Sequence, residues 1–241
     1  MAQTILITGA NRGIGLALAR EFSGLGWIVV ATSRKPDGWQ GVEIFRKLSK
    51  GASSDALLTV QMDVVSDDSV RKAAESVAKM IPGLDVLVNN AAIFPEEGNE
   101  SIRDIDLAHF GAAFETNVTG TLRVTRAFLP LLERGTKPRI VNISSGAGSI
   151  AGKEDYGYYA YSTSKAALNM ATRALAAELE PQKICVVAMS PGWVKTDMGG
   201  PNAPLTPEES ARSIAKTITG LSMKHTSQFL DRDGAPYPDG W

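Results

Sequence analysis

A chain of 241 residues, 44% hydrophobic and with a formal net charge of −1, is long enough to bury a large core in one α/β domain. The near-neutral balance argues against nucleic acid or an anionic membrane as partner, and no apolar run approaches the roughly 20 residues of a membrane helix. One cysteine and two histidines make neither a disulfide framework nor a cysteine metal cluster.

The N-terminus, Met1-Ala2-Gln3-Thr4-Ile5-Leu6-Ile7-Thr8, lacks the charged start and long apolar region of a signal peptide. It reads as a first strand, and a cytosolic setting is expected. Short apolar runs then alternate with helical patterns. The predicted strands are Thr4–Thr8, Ile28–Thr32, Leu57–Met62, Val86–Asn89, Ile140–Ser144, Ile184–Ser190 and Gln228–Asp231. They lack strict polar alternation, as strands covered on both faces do. Ile14, Leu18, Phe22 and Leu25 recur at helical spacing, and Tyr161, Lys165, Leu168, Thr172, Leu175 and Leu179 form a second stripe. Ser66 before Asp67-Asp68 predicts an N-cap with acids in the first turn. Thr206-Pro207-Glu208-Glu209 predicts a capping box with proline at the first helical position. The expected fold is a single Rossmann-type domain over 1–241, a doubly wound parallel sheet of about seven strands with helices on both faces. The Gly- and Pro-rich stretches at 192–204 and 234–240 read as a loop and a tail. Cys185, inside Ile184-Cys185-Val186-Val187-Ala188, reads as a small buried hydrophobe.

Two local patterns carry chemistry. Thr8-Gly9-Ala10-Asn11-Arg12-Gly13-Ile14-Gly15 follows the first strand and opens the first helix, the context of a dinucleotide phosphate loop. Glycines there permit a tight turn and close backbone approach to a pyrophosphate at the helix N-terminus. Tyr161 and Lys165, four residues apart on a helix, share one face. An ammonium beside a phenol is expected to lower its pKa from about 10 toward the working range of a general acid or base.

The spacing Thr-Gly-x-x-x-Gly-x-Gly resembles the short-chain dehydrogenase/reductase family. Further motifs follow in that family's order: Asn89-Asn90-Ala91-Ala92, Asn117, Ser144-Ser145, Tyr161 with Lys165, and Pro191-Gly192 with Thr196. Ala92 stands where the family usually has glycine. The segment Pro191–Ala203 is similar to the subgroup of sniffer-type carbonyl reductases and the bacterial C-factor.

The resemblance implies Tyr161 as acid/base and Lys165 as the group that tunes it and holds the nicotinamide ribose. It implies Ser145 as the serine that orients a substrate carbonyl, with Ser144 as the less favoured candidate, and Asn117 as the anchor of a proton-relay water. Gly9, Asn11, Arg12, Gly13, Ile14 and Gly15 would line the pyrophosphate. Asp63 and Val64 match adenine positions, and Asn89 and Ala91 match ribose positions. Pro191, Gly192, Val194 and Thr196 would flank the nicotinamide, and Asp197–Leu205 reads as a lid. NAD-binding chains place an acid at the end of the second strand. Here the sequence is Ala31-Thr32-Ser33-Arg34-Lys35, with no acid before Asp37. A guanidinium pairs with a 2′-phosphate that a carboxylate would repel, so Ser33, Arg34 and Arg12 point to NADP(H).

The expected activity is NADPH-dependent reduction of an aldehyde, ketone or quinone. The alternative is a dinucleotide-binding signalling protein of the C-factor type with little turnover. Trp193, Met198, Phe94, Ile150 and Tyr156 are candidates for an apolar substrate pocket, and no metal is expected. Tyr156, Tyr158 and Tyr159 lack a lysine four residues on, and neither His109 nor His225 reads as catalytic. The small-residue stripe Ala166, Asn169, Met170, Arg173 and Ala177 reads as a face for a homodimer or homotetramer.

Overall fold

The computed structural model describes residues 2–35, 57–96, 98 and 100–241. Seven strands form one parallel sheet in the order β3-β2-β1-β4-β5-β6-β7. They are β1 (Thr4–Ile7), β2 (Ile28–Ser33), β3 (Leu57–Gln61), β4 (Val86–Asn89), β5 (Arg139–Ile143), β6 (Cys185–Met189) and β7 (Phe229–Leu230). Each falls within a residue or two of its predicted span. Arg139 is the exception in kind. It lies one residue before the predicted start, yet it begins β5 at 5% exposure and donates from Nε to the Leu221 carbonyl.

The helices are α1 (Gly13–Gly24), α2 (Asp67–Val77), α3 (Ala108–Phe114), α4 (Gly120–Leu132), α5 (Tyr159–Leu179) and α6 (Pro207–Gly220). A π-helical turn, Glu115–Thr119, joins α3 to α4. On one face of the sheet α1 and α6 pack against Ile5, Ile7, Val29, Val88 and Val187. On the other, α2, α4 and α5 cover Leu6, Val30, Leu87, Ile140 and Val186. Strands buried on both sides explain the unbroken apolar runs.

The predicted caps form. Ser66 accepts from the Ser69 amide at 3.2 Å. Thr206 and Glu209 make the reciprocal capping box with Pro207 at the first helical position. Leu25 departs from its predicted stripe: it caps α1 and is 53% exposed, because the helix ends at Gly24. Trp27 fills the space instead, its ring edge-on to Phe22 with centroids 5.0 Å apart. The tail after β7 is folded back rather than loose. Tyr237 and Trp241 stack on Phe229, and Arg173 lies over the Trp241 ring.

In the dimer stripe, Asn169 is buried and turned inward, accepting from Ser144 Oγ at 2.6 Å and donating to the Gly148 carbonyl at 3.1 Å. It stands one turn beyond Lys165, so the helical period carries it toward the sheet. Ala177 and the 69%-exposed Met170 remain on the outer face.

Candidate active site

Every segment singled out for chemistry lies at the carboxyl ends of the strands, where ligands bind in open α/β sheets. The turn after β1 needs its glycines for two different reasons. Gly9 has a φ of +63°, a conformation that strains L side chains. At Gly15 a Cβ would lie 2.5 Å from both the Asn90 side-chain nitrogen and the Gly9 carbonyl oxygen. Thr8 and Asn90 lock this turn to the end of β4. Thr8 Oγ1 accepts from the Asn90 and Ala91 amides at 2.9 Å, and Asn90 Nδ2 donates to the Thr8 carbonyl at 2.9 Å. Gly13 and Ile14 open α1, whose N-cap, Arg12, is extended and offers no side-chain cap. The first amides of α1 therefore suit an anion. Asn11 sits in the same turn.

At the end of β2, Ser33 is 5% exposed and its hydroxyl lacks a partner among the described residues. Arg34 and Lys35 beside it are exposed, and Asp37 lies outside the described residues. An orphaned hydroxyl next to a guanidinium fits a phosphate on a ribose. Arg12 reaches elsewhere: it forms an ion pair with Asp197, both side chains being largely exposed. Asp63 accepts from the Val65 amide, while the Val64 carbonyl accepts from Arg123.

Asn89, at the end of β4, is built into the sheet. At 4% exposure, its Nδ2 donates to Asn142 Oδ1 at 2.9 Å and Thr125 Oγ1 at 3.1 Å. Asn142 in turn donates to Thr172 on α5. Asn89 thus ties β4 to β5 and to two helices, and supports the cleft from behind.

The two serines after β5 separate cleanly. Ser144 is buried against Asn169, while the Ser145 hydroxyl stands beside that of Tyr161, where it favours the phenolate. Lys165, 2% exposed, donates to the Ile143 carbonyl at 2.8 Å, and its Nζ stands 5.6 Å from the Tyr161 ring centre. Burial pulls its pKa down to about 7. The expected depression of the Tyr161 pKa is absent. Desolvation pushes the phenol above its ordinary value, the neighbouring Ser145 hydroxyl partly opposes this, and the charge of Glu96 adds to the rise. A lysine that is itself half-discharged near neutrality cannot exert the pull that a full ammonium would.

Asn117 lies in the π-helical turn, 1% exposed. It accepts from the Ile93 amide at 2.9 Å and donates to the Ile93 carbonyl at 3.0 Å and to Ser164 Oγ at 2.9 Å. It clamps the loop after β4 to α5. Pro191 and Gly192 follow β6, and Ser210 donates to the Pro191 carbonyl. Val194 bridges to Leu205, and Thr196 Oγ1 accepts from the Gly199 amide. The lid is thus a folded turn with Trp193 and Met198 exposed. Ile150 and Tyr156 line a hollow of about 520 Å³ with Tyr159, Ser162 and Ala166. Neither Ser145 nor Tyr161 lines it, because it opens on the other side of α5. Phe94 does meet the site, its ring 4.8 Å from that of Tyr161.

The sequence reading missed Glu96. Its carboxylate, 4% exposed, accepts from the Ala160 and Tyr161 amides at 2.6 and 3.1 Å. Nothing local announces a partner 64 positions away. His225 takes the Ser222 amide in a local turn, and His109 Nδ1 lies 4.0 Å from Glu100. Among the described residues no cluster of three His, Cys, Asp or Glu could hold a metal, and no helix is long and apolar enough to cross a membrane.

The family model for short chain dehydrogenases matches residues 3–204. The chain belongs to this family. It is 42% identical to the C-signal of Myxococcus xanthus over 155 residues, 64% of this chain and 92% of that protein. The carbonyl reductase Sniffer of D. melanogaster superposes with a TM-score of 0.90 at 35% identity, each chain being covered in full. An NADPH-bound carbonyl reductase from chicken fatty liver superposes at 0.89 with 35% identity, covering 100% of this chain and 99% of that one. The short-chain dehydrogenase architecture therefore extends beyond the matched segment to β7 and the tail.

Proposed function

We propose that the chain is an NADPH-dependent reductase of aldehydes, ketones or quinones, acting as one domain over 1–241. The observation that carries this is the pairing of the Ser145 and Tyr161 hydroxyls beside Lys165, at the sheet edge that also bears the phosphate turn. The unfilled α1 N-terminus and the orphaned Ser33 hydroxyl fit NADP(H), the cofactor of the chicken reductase.

Bound there, the dinucleotide would supply a hydride to the carbonyl carbon. Ser145 and Tyr161 hold the carbonyl oxygen by hydrogen bonds that strengthen as it becomes an alkoxide. Tyr161 then releases its proton to that oxygen, giving the alcohol. A phenol held above its ordinary pKa is protonated at neutral pH, the state that reduction requires. Lys165, its Nζ 5.6 Å from the Tyr161 ring centre, would return a proton to Tyr161, a pKa of about 7 allowing both states. Arg12 can leave Asp197 for the 2′-phosphate at little cost, since exposed ion pairs contribute only about 0–1 kcal/mol. Arg34 completes that site.

Measuring NADPH oxidation against a panel of aldehydes, ketones and quinones tests the proposal; turnover above the uncatalysed rate supports it. NADPH binding without turnover of any of them favours the signalling alternative, which the likeness to C-signal brings in. A cytosolic setting and a homodimer or homotetramer through the outer face of α5 belong to the same reading. A sedimentation mass at or above twice 25.6 kDa checks the association.

A further inference from the structure

The loop after β4 reaches α5 through three contacts. Asn117 grips Ile93 and Ser164. The Phe94 ring lies between those of Tyr158 and Tyr161, at 5.3 and 4.8 Å. Glu96 Oε1 takes the Ala160 and Tyr161 amides. The chain enters α5 through Gly157 and Tyr158, at φ of +89° and +50°. Tyr158, as N-cap, provides no side-chain cap of its own. A helix start of this kind leaves amides that must find an acceptor, and here one distant carboxylate supplies it.

From this geometry we infer that Glu96 is a positioning residue for Tyr161: it ties the loop after β4 to the first turn of α5 and so sets where the phenol stands. The inference rests on the reductase reading for its catalytic consequence but not for its structural content. Tyr161 is itself one of the two residues whose amide is held, so a slack cap would move the ring directly. The carboxylate also acts through its charge. Its second oxygen, Oε2, is buried without a hydrogen-bond partner among the described residues. The groups facing the phenol are Ser145 from the loop after β5, Glu96 from the loop after β4 and Lys165 on α5 itself. Ser145 favours the phenolate, whereas Glu96 opposes it. Burial is the larger cause of the raised phenol pKa, and the Glu96 charge adds to it.

The test uses Glu96→Gln and Glu96→Ala in the full chain. Glutamine keeps an acceptor for the two amides but removes the charge; alanine removes both. Phenol ionisation of Tyr161 is followed as an ultraviolet difference against Tyr161→Phe, which needs no turnover. NADPH binding is followed by fluorescence, and kcat and KM with a carbonyl that the chain reduces. Glu96→Gln should titrate Tyr161 at lower pH than the parent chain and keep most of the turnover. Glu96→Ala should lower kcat by roughly 10²-fold, as expected for a misplaced reacting group, with NADPH affinity unchanged. An unshifted titration in Glu96→Gln, or an unchanged kcat in a folded Glu96→Ala, overturns the inference. If no carbonyl is reduced, the reductase reading fails and the titration still decides the role of Glu96. If Glu96→Ala does not fold, Glu96→Asp, which keeps the charge but shortens the reach to the two amides, takes its place in the kcat comparison.

Discussion

The turn after β1 and the first turns of α5 stand at the same edge of the sheet, yet they are held by different means. The glycine turn is shaped by backbone. A positive φ at Gly9, a missing Cβ at Gly15 and hydrogen bonds from Thr8 and Asn90 leave the α1 amides open to an anion. The Tyr161 side is shaped by buried side chains. Asn117, Ser164, Asn142, Thr172, Ser144, Asn169, Lys165 and Glu96 hydrogen-bond one another or nearby main chain beneath the cleft. A turn made by backbone tolerates change wherever no Cβ is added. A buried polar network tolerates little, since each group left without a partner costs about 1–3 kcal/mol. On the proposed reading, the turn after β1 would receive a charged ligand with little backbone rearrangement, and the network would hold the Tyr161 hydroxyl in one place.

The comparison breaks most sharply at Tyr161. Tyr161→Phe keeps the ring against Phe94 and removes the proton, so turnover should fall by roughly 10²–10⁴-fold while NADPH still binds at the turn after β1. Steady-state rates beside a fluorescence titration separate the two sides. Retained activity would remove Tyr161 from the mechanism.

Next is the cost of the network itself. Lys165 titrates at about 7 when folded, against 10.5 as a free side chain. Between these values the unfolded chain carries a proton that the folded chain lacks, so folding stability rises with pH across that window. Below about 7 both states are protonated and the full cost is felt. From pH 7 to pH 9 the cofactor-free chain should gain about 2–3 kcal/mol from this group. Urea midpoints at the two pH values measure it, and Lys165→Met should remove most of the slope.

The smallest expected effect sharpens the cofactor side. Replacing Arg34 by glutamine should raise the Michaelis constant for NADPH more than about tenfold and leave that for NADH nearly unchanged, a charge-assisted bond to phosphate being worth roughly 1.5–3 kcal/mol. Ser33→Asp should shift preference toward NADH. A parent chain that already prefers NADH would refute the charge argument.

The sequence by itself determined what depends on neighbours along the chain. The apolar runs placed seven strands, Thr206 and Ser66 announced their caps, and the glycine spacing located the turn between β1 and α1, because turns, caps and strand burial are set within a few residues. Tyr161 and Lys165 were legible for the same reason, one helical turn separating them. Tertiary structure decided the rest. It sent Asn89 inward to Asn142, paired Arg12 with Asp197 and turned Asn169 toward Ser144. It also raised the phenol pKa where the local pair alone suggested a fall. Glu96 is the clearest case: a carboxylate acquires its role only when folding carries it to helix amides 64 positions away. Burial there removes the water that would otherwise have satisfied both.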